Sequence, residues 1–145
     1  MADDRHFLRL EVVSPDGPVF DGDVAMVVVP AERGELGILP RHASMVARLS
    51  IGEMRVKTLD DAWLSLSVAE GFVKVQFDKV IVLADAAELA SEIDAPRAEE
   101  ALARAQERLT MLKNGTVPED DEVDPFRETM AAKRAKNRLA VVRKG

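Results

Sequence analysis

The chain has 145 residues, of which 47% are hydrophobic, and a formal net charge of −6, so it can form one ordinary domain or two small ones. The absence of cysteine excludes disulfides, thiolate catalysis and cysteine-ligated zinc, and it fits a reducing compartment such as the cytoplasm. Because the sequence has no long apolar run and no apolar h-region at its acidic N-terminus, we expect neither a membrane span nor a secretory signal.

Residues 7–84 show the pattern of short β-strands. Three segments alternate apolar and polar residues, as strands with one buried and one solvated face do, namely FLRLEVV, WLSLSVA and FVKVQF. Two continuous apolar runs, AMVVVP at 25–30 and VIVLAD at 80–85, are typical of strands buried on both faces. Turn signals separate the segments at 14–18, 21–23, 32–35 and 59–62. This pattern predicts an antiparallel sandwich or barrel.

The hydrophobic period changes after Ala86, and a first helix is predicted from Asp94 to about Lys113. Asp94 is a natural N-cap, Pro96 fits the first turn, and Asn114-Gly115 is a natural C-cap. The apolar residues recur at helical spacing and form one stripe, which consists of Ala98, Ala101, Leu102, Ala105, Leu109 and Leu112.

An acidic connector at 116–124 leads to a second predicted helix, capped by Asp124 and beginning with Pro125. Its predicted apolar stripe consists of Phe126, Met130, Ala131, Ala135, Leu139 and Val142. Since both stripes are rich in alanine, the two helices can approach closely but bury little apolar area. We therefore expect a helical hairpin that docks weakly and can rearrange, with the domain boundary near residues 86–91.

Positive charge is concentrated at the C-terminal end. Residues 127–145 contain seven basic residues and one acid, Glu128, whereas the rest of the chain carries 13 basic and 25 acidic groups. A basic tail on an acidic body indicates an anionic partner for the tail, or else a solvated helix face.

The sequence lacks the motifs of known catalytic sites. It has no P-loop, no nucleophile elbow, no H-E-x-x-H and no dinucleotide fingerprint, and the neighbours His42 and Ser44 suggest no triad. With only two histidines we predict neither catalytic residues nor a metal site. A rival interpretation is a sandwich with a basic arm for nucleic acid. The acidic body and only six aromatic residues disfavour it, so no nucleic-acid partner is expected.

The most specific segment of the chain is GELGILPRHASMV at 34–46, which follows VVVPAERG and precedes VIVLADAAELASEIDAPRA. On these residues the chain resembles the epsilon subunits of bacterial F-type ATP synthases. The resemblance covers nearly the whole chain, from LRLEVVSPDG to KRAKNRLAVV. It implies an α+β fold, with a flattened antiparallel β-sandwich of about ten strands in residues 1–87. A regulatory α-helical hairpin follows in residues 88–145.

The resemblance also implies a role and partners. Such a chain is a non-catalytic rotor-stalk subunit, peripheral to the cytoplasmic face of the plasma membrane and attached there through the complex. Its sandwich is expected to bind the gamma subunit and the polar loops of the c-ring, which couples proton flow to rotation. Its hairpin is expected to obstruct ATP hydrolysis when extended along gamma, but not when folded.

Glu35 and His42 are the residues that the resemblance places at the c-ring. A carboxylate at position 35 can pair with an arginine or amide of the ring. The alternative is that Glu35 is solvated and that His42 supports its own turn by a hydrogen bond. Arg41 stands where a glycine is common in relatives, which makes this loop stiffer and more basic.

Some members of the family bind ATP in the folded hairpin. Their pattern is I/L-D-x-x-R-A at the first helix, two arginines four residues apart on the second helix, and a glutamate before the first helix. The matching residues here are Ile93, Asp94, Arg97 and Ala98, then Arg134 and Arg138, and finally Glu88. The resemblance therefore implies no required cofactor, but ATP as a regulatory ligand.

Helix geometry allows these groups to converge. At the usual helical rise, Arg97 lies roughly 24 Å and Arg138 roughly 20 Å from the connector, so they come level in an antiparallel hairpin. The N-terminus of the first helix lies at the same level and favours phosphate oxygens. The structural alternative is that Asp94 only caps its helix and Arg97 is a surface residue. Arg134 and Arg138 then only complement the C-terminal end of the second helix.

The basic face of the second helix has another expected use. In the extended state, the resemblance implies contact with an acidic segment of the beta subunit through Lys133, Arg134, Lys136 and Arg138. Because the two uses compete for the same charges, a ligand that binds only the folded hairpin shifts the population toward it.

Overall fold

The computed structural model describes residues 6–143. Six strands form its first part: β1 (Leu8–Ser14), β2 (Gly17–Ala31), β3 (Gly34–Ile38), β4 (Met45–Thr58), β5 (Trp63–Gln76) and β6 (Lys79–Leu89). The sheet order is β1-β6-β5-β4-β2-β3, and a further pairing of β1 with β2 closes the sheet on itself. The pairings are antiparallel except that of β1 with β6, which is parallel. The sandwich-and-hairpin fold class is thereby confirmed.

The sheet has six strands where about ten were expected, because the long strands bend and continue. The predicted strands WLSLSVA and FVKVQF are one strand, β5, with positive φ at Glu70 (58°) and Gly71 (121°) between them. In β2 the register against β4 shifts twice. The segment at 21–23, predicted as a turn, lies inside β2 and pairs with β1. A bend of this kind turns a strand from one layer to the other without ending its hydrogen bonding.

The core lies between the layers and contains the apolar residues that alternate along each strand. Leu8, Leu10 and Val12 of β1 are fully buried, as are Val73 of β5 and Val80 of β6. The run AMVVVP is buried on both faces from Val27 onward, as predicted. The second continuous run, VIVLAD, is not, because Val80, Val82 and Ala84 point inward while Leu83 is 55% exposed. That prediction was wrong for β6.

Two helices follow a short 3₁₀ turn, η1 (Ala90–Glu92). Helix α1 (Ala95–Asn114) begins after Asp94, whose carboxylate accepts a hydrogen bond from the Arg97 N–H at 3.1 Å, and ends at Gly115 with φ of 66°. Helix α2 (Pro125–Val142) begins after Asp124, which accepts from the Phe126 N–H at 3.0 Å. The predicted caps are therefore confirmed.

Helix α2 lies against the sandwich, and α1 packs on α2. Contacts with β4, β5 and η1 come from α2. Alanines bury the facing sides, with Ala98 and Ala105 from α1 and Ala135 from α2. The predicted stripe of α2 was wrong at its start, because Phe126 is 72% exposed. Glu128 is buried there instead, and its carboxylate lies 3.3 Å from Arg108 Nη1 of α1. The stripe also missed the buried Ala132 and Val141.

The strand β6 continues to Leu89, two residues beyond the expected division between 87 and 88. Helices α1 and α2 both lack the length of apolar sequence that a membrane crossing needs, and no other helix in residues 6–143 meets that condition.

Candidate functional site

A cavity of about 310 Å³ lies where α2 crosses β4, β5 and β6. Six alanines form much of its wall, at positions 69, 86, 87, 101, 131 and 135. Because their side chains are short, the helix stays close to the sheet and still leaves an open space. The polar groups at the cavity come from Ser67, Glu88, Arg134 and Arg138. Three of the predicted ATP-binding residues are therefore brought together here.

Glu88 and Arg138 form a bidentate ion pair at the edge of this cavity. Arg138 Nε donates to Glu88 Oε1 at 2.5 Å, and Arg138 Nη2 donates to Glu88 Oε2 at 3.2 Å. Both side chains are partly shielded from solvent. Such fork-shaped, charge-assisted pairs are among the stronger polar contacts in proteins. An anionic ligand that uses Arg138 must therefore share the guanidinium with Glu88 or displace that carboxylate.

Arg134 lies one helical turn before Arg138 and is half-buried. It makes no ion pair with any residue in the 6–143 range. Its side chain lines the cavity and also a second groove of about 270 Å³ between the two helices. Three more arginines line that groove, namely Arg104, Arg108 and Arg127. Glu128 neutralises only Arg108, so the positive charge around Arg134 exceeds the negative charge.

The motif at the start of α1 is located beside the end of α2. Ile93 is buried in a small cluster with Ala90 and Val141, which lies about one turn beyond Arg138. Asp94 caps α1, Arg97 is exposed, and Ala98 is fully buried. None of these four residues is among the described residues that line the 310 Å³ cavity. In this state Asp94 performs the capping role that the structural alternative assigned to it.

The four basic residues expected to meet the beta subunit point in two directions. Arg134 and Arg138 face the cavity, whereas Lys133 and Lys136 are exposed. The helical repeat explains the division, since residues three or four apart share a face and residues one or two positions away turn from it. The folded hairpin therefore presents two of the four charges to solvent and leaves the other two half-buried at the cavity.

Glu35 and His42 lie on β3 and on the loop that follows it. The Glu35 carboxylate is 2.8 Å from Arg55 Nη2, and Arg55 also lies over the Trp63 ring at 6.0 Å. His42 Nδ1 is 2.8 Å from the Ala43 carbonyl oxygen, so this ring supports its own turn. Arg41 has φ of 68°, a left-handed value that glycine adopts without strain.

An apolar band that was not predicted from the sequence lies on the outer face of the sandwich. Phe72, Leu83 and Val13 are consecutive partners across β5, β6 and β1, and all three are partly exposed. On β4, Arg48 is the partner of Phe72 and its guanidinium covers that ring at 5.6 Å, while Val46, 65% exposed, is opposite Lys74 and thus diagonal to Phe72. Leu83 sits at a solvent-facing position of β6. In the run VIVLAD it is one position out of step with the buried Val80 and Val82, and this spacing could have predicted its exposure.

Comparisons with known proteins agree over both parts of the chain. Residues 7–90 match the model of the ATP synthase delta/epsilon chain beta-sandwich domain, and residues 91–143 match that of the long alpha-helix domain. An ATP synthase epsilon chain of Halalkalibacterium halodurans is 46% identical over 134 residues, covering 92% of this chain and 96% of the relative. That of Bacillus subtilis is 50% identical over 109 residues, covering 75% and 82%.

A similar fold occurs in a solved structure. It is a chain in the cryo-EM structure of the Euglena gracilis mitochondrial ATP synthase, which contains OSCP, F1 and the c-ring. The TM-score is 0.76 at 20% identity, and the match covers 97% of this chain and 84% of that one. At this identity the likeness concerns the fold alone.

Proposed function

Since this chain belongs to the ATP synthase delta/epsilon family, we propose that its sandwich connects gamma to the c-ring and that its hairpin regulates ATP hydrolysis. It is a non-catalytic epsilon subunit of the central stalk of an F-type ATP synthase. In this proposal the chain is peripheral to the cytoplasmic face of the membrane and is held there by gamma and the c-ring. The observation that supports the regulatory part is that Arg134 lines a cavity under the hairpin and pairs with no acid among the residues that the structure describes.

The outer apolar band of Val13, Val46, Phe72 and Leu83 is the surface proposed for gamma. Exposed apolar side chains that adjoin one another on a sheet mark interaction sites in soluble proteins. A lysine at position 83 would place a charge at the centre of this band. We expect Leu83→Lys to abolish co-purification of gamma with the chain. Phe126→Lys, which changes an exposed apolar residue on α2, should retain it, and equal retention by both variants would contradict the proposal.

The edge that contains Glu35 and His42 is proposed to meet the polar loops of the c-ring. The ion pair of Glu35 with Arg55 is exposed to solvent, and exposed pairs of this kind contribute little to stability. Glu35 can therefore exchange Arg55 for an arginine or amide of the ring at small cost. His42 is oriented by the bond of its Nδ1 to the Ala43 carbonyl oxygen, which leaves its other ring nitrogen for a partner.

ATP is proposed as the ligand of the folded hairpin. Arg134 supplies a cation that forms no ion pair within residues 6–143, and Arg138 supplies a second that is shared with Glu88. The N-terminus of α1, with Ile93, Asp94, Arg97 and Ala98, lies next to the end of α2 and supplies the positive end of its helix dipole. The N–H groups of Ile93, Arg97 and Ala98 already donate to Ala90 and Asp94, so ATP would have to compete for them. Binding of ATP would require movement of the Arg97 side chain from solvent toward the arginines of α2.

Isothermal titration of the full chain with ATP tests this site. We expect heat from the wild-type chain, loss of that heat in Arg134→Ala, and its retention in Lys133→Ala. Lys133 is a matched control because it is the adjacent residue on α2 and is exposed. A hydrogen bond to a charged group contributes about 1.5–3 kcal/mol, so Arg134→Ala should weaken binding by at least about tenfold. No heat from the wild-type chain at millimolar ATP would remove ATP from the proposal.

Contact with the beta subunit is proposed for the extended hairpin. Lys133 and Lys136 are exposed in the folded state, whereas Arg134 and Arg138 are half-buried at the cavity and become fully exposed only when α2 leaves the sandwich. Release therefore adds two cations to the face that would meet an acidic segment of beta. ATP, by holding these arginines in the folded state, would oppose that contact.

A further inference from the structure

The turn between β5 and β6 contains an exposed aromatic residue in an unfavourable backbone conformation. Phe77 and Asp78 have positive φ values of 51° and 61°, and Phe77 is 88% exposed. Two-residue hairpin turns with positive φ at both positions favour Asn-Gly, because bulky side chains are strained there. Stability alone would therefore favour a different residue, and packing does not explain Phe77. Strained residues of this kind cluster at functional sites.

The turn is fixed to its surroundings by hydrogen bonds to Asp78. The Arg41 N–H donates to Asp78 Oδ1 at 2.6 Å, and the Arg9 N–H donates to the Asp78 carbonyl oxygen at 2.9 Å. Arg41 belongs to the loop of residues 39–44, which also contains His42. Phe77 is thus presented at a defined position beside the loop that is proposed to meet the c-ring.

The chemistry around Phe77 is that of a small protein contact. Phe77 lines a groove of about 400 Å³ with Lys74, Gln76, Lys79 and Ile81. Lys79 is paired with Glu11 at 3.7 Å, whereas Lys74 makes no ion pair with any residue between 6 and 143. The Phe77 ring can fill a cleft between polar loops of a partner. The Lys74 ammonium and the Gln76 amide can form hydrogen bonds with the polar groups of those loops. A single aromatic residue beside one unpaired cation is a poor match for a lipid surface, which needs a wide apolar face and several cations.

We propose that Phe77 is a further anchor of this subunit on the c-ring, with its ring inserted between polar loops and Lys74 donating to their oxygen atoms. This inference rests on the proposed function, because it extends the edge that contains His42. The strain at Phe77 is then the cost of presenting an aromatic side chain at the tip of a rigid turn.

Crosslinking tests the partner directly, because the chain has no cysteine of its own. Phe77→Cys and His42→Cys are each labelled with a benzophenone maleimide, incorporated into the assembled complex in membranes, and irradiated. We expect an adduct with the c subunit from both positions. An adduct from position 42 alone would overturn the anchor and leave the c-ring edge in place. Absence of c adducts at both positions would overturn the proposed c-ring contact as well. Adducts of position 77 with lipid or gamma instead of c would also overturn the anchor.

A second experiment separates the strain from the contact. Phe77→Asn should raise the melting temperature of the full chain by about 3 °C, because asparagine tolerates left-handed φ. In the assembled complex the same variant should lower the ratio of proton pumping to ATP hydrolysis about twofold or more, since loss of an aromatic anchor strongly weakens a contact. Phe126→Asn, at an exposed position on α2, should leave that ratio unchanged. A stabilised Phe77→Asn chain with an unchanged ratio would overturn the anchor.

Discussion

At the scale of single residues, the sandwich depends on the bend at Glu70 and Gly71 within β5. Gly71 has φ of 121°, and a Cβ atom added there would overlap the Leu83 carbonyl oxygen and lie 2.8 Å from Ala84 Cα. The close approach of β6 therefore requires a residue without a side chain. Glycine is needed here for two reasons, the backbone angle and the space, and a comparison of two glycines can separate them.

We predict that Gly71→Ala destabilises the chain by about 3 kcal/mol, the sum of backbone strain and overpacking. Gly34 is the matched control, because its φ is 127° and no atom lies within 4 Å of a Cβ added there. Gly34→Ala should therefore cost only the strain, about 1 kcal/mol. Urea unfolding of the two variants measures the difference, and equal losses of unfolding free energy would contradict the close approach of β6.

Single residues also mark where sequence analysis succeeded and failed. Asp94, Asp124 and Gly115 were predicted as helix caps and are caps, because capping depends on the residue itself and its immediate neighbours. Phe126 was placed on the buried stripe and is exposed, because Glu128 occupies the buried position with Arg108 as its partner. An ion pair between two helices leaves no apolar signal in either one.

At the scale of elements, α2 holds the hairpin on the sandwich through a few specific contacts. Asn137 Nδ2 donates to the Gly52 carbonyl oxygen at 2.8 Å and to Ser67 Oγ at 3.0 Å. The Glu88–Arg138 pair and the small cluster around Val141 lie farther along the helix. Since the other facing residues are mostly alanines, the apolar area that fixes α2 is modest. Asn137 had no role in the sequence analysis, because its partners are 70 and 85 residues away.

We predict that Asn137→Leu loosens α2 while the sandwich stays intact. The substitution leaves the Gly52 carbonyl and the Ser67 hydroxyl unpaired, which costs about 1–3 kcal/mol. Hydrogen exchange should show faster exchange of the α2 amides and unchanged protection of β4 and β5. Lys136→Leu is the matched control, since Lys136 is adjacent and exposed.

Two exchange results would contradict this account of docking. Unchanged protection of α2 in Asn137→Leu would mean that the hydrogen bonds to the sandwich do not hold the helix. In the wild-type chain, protection of α2 equal to that of the sandwich core would mean that the hairpin does not dock weakly.

The strands show what hydrophobic periodicity can and cannot predict about an element. WLSLSVA and FVKVQF were recognised as strand sequence, but their union in β5 was not, because Glu70 and Gly71 look like a turn in sequence. In the structure β4 and β6 keep pairing on both sides of the bend, so the strand continues. Leu83 was assigned to the core because an apolar run does not reveal that one face of β6 is exposed to solvent.

At the scale of the whole molecule, the two parts divide the work of a stalk subunit. The sandwich has a closed core and an exposed apolar band, which suits a permanent partner. The hairpin has capped helices, a small interface with the sandwich and two half-buried arginines, which suits the proposed change of position. In the proposed function the extended state would use these same two charges, so folding would oppose inhibition.

We predict that deletion of residues 91–145 raises the ATPase activity of the assembled complex and leaves assembly intact. The deletion begins after β6 ends at Leu89, so the strands and the apolar band are retained. If the hairpin spends half of its time extended and inhibitory, its removal should raise the rate about twofold. ATPase assays on complexes purified with either form of the subunit provide the measurement, with the amount of co-purified gamma as the control for assembly. An unchanged rate at unchanged gamma content would count against an inhibitory hairpin, whereas loss of gamma would show that the helices also support the stalk contact.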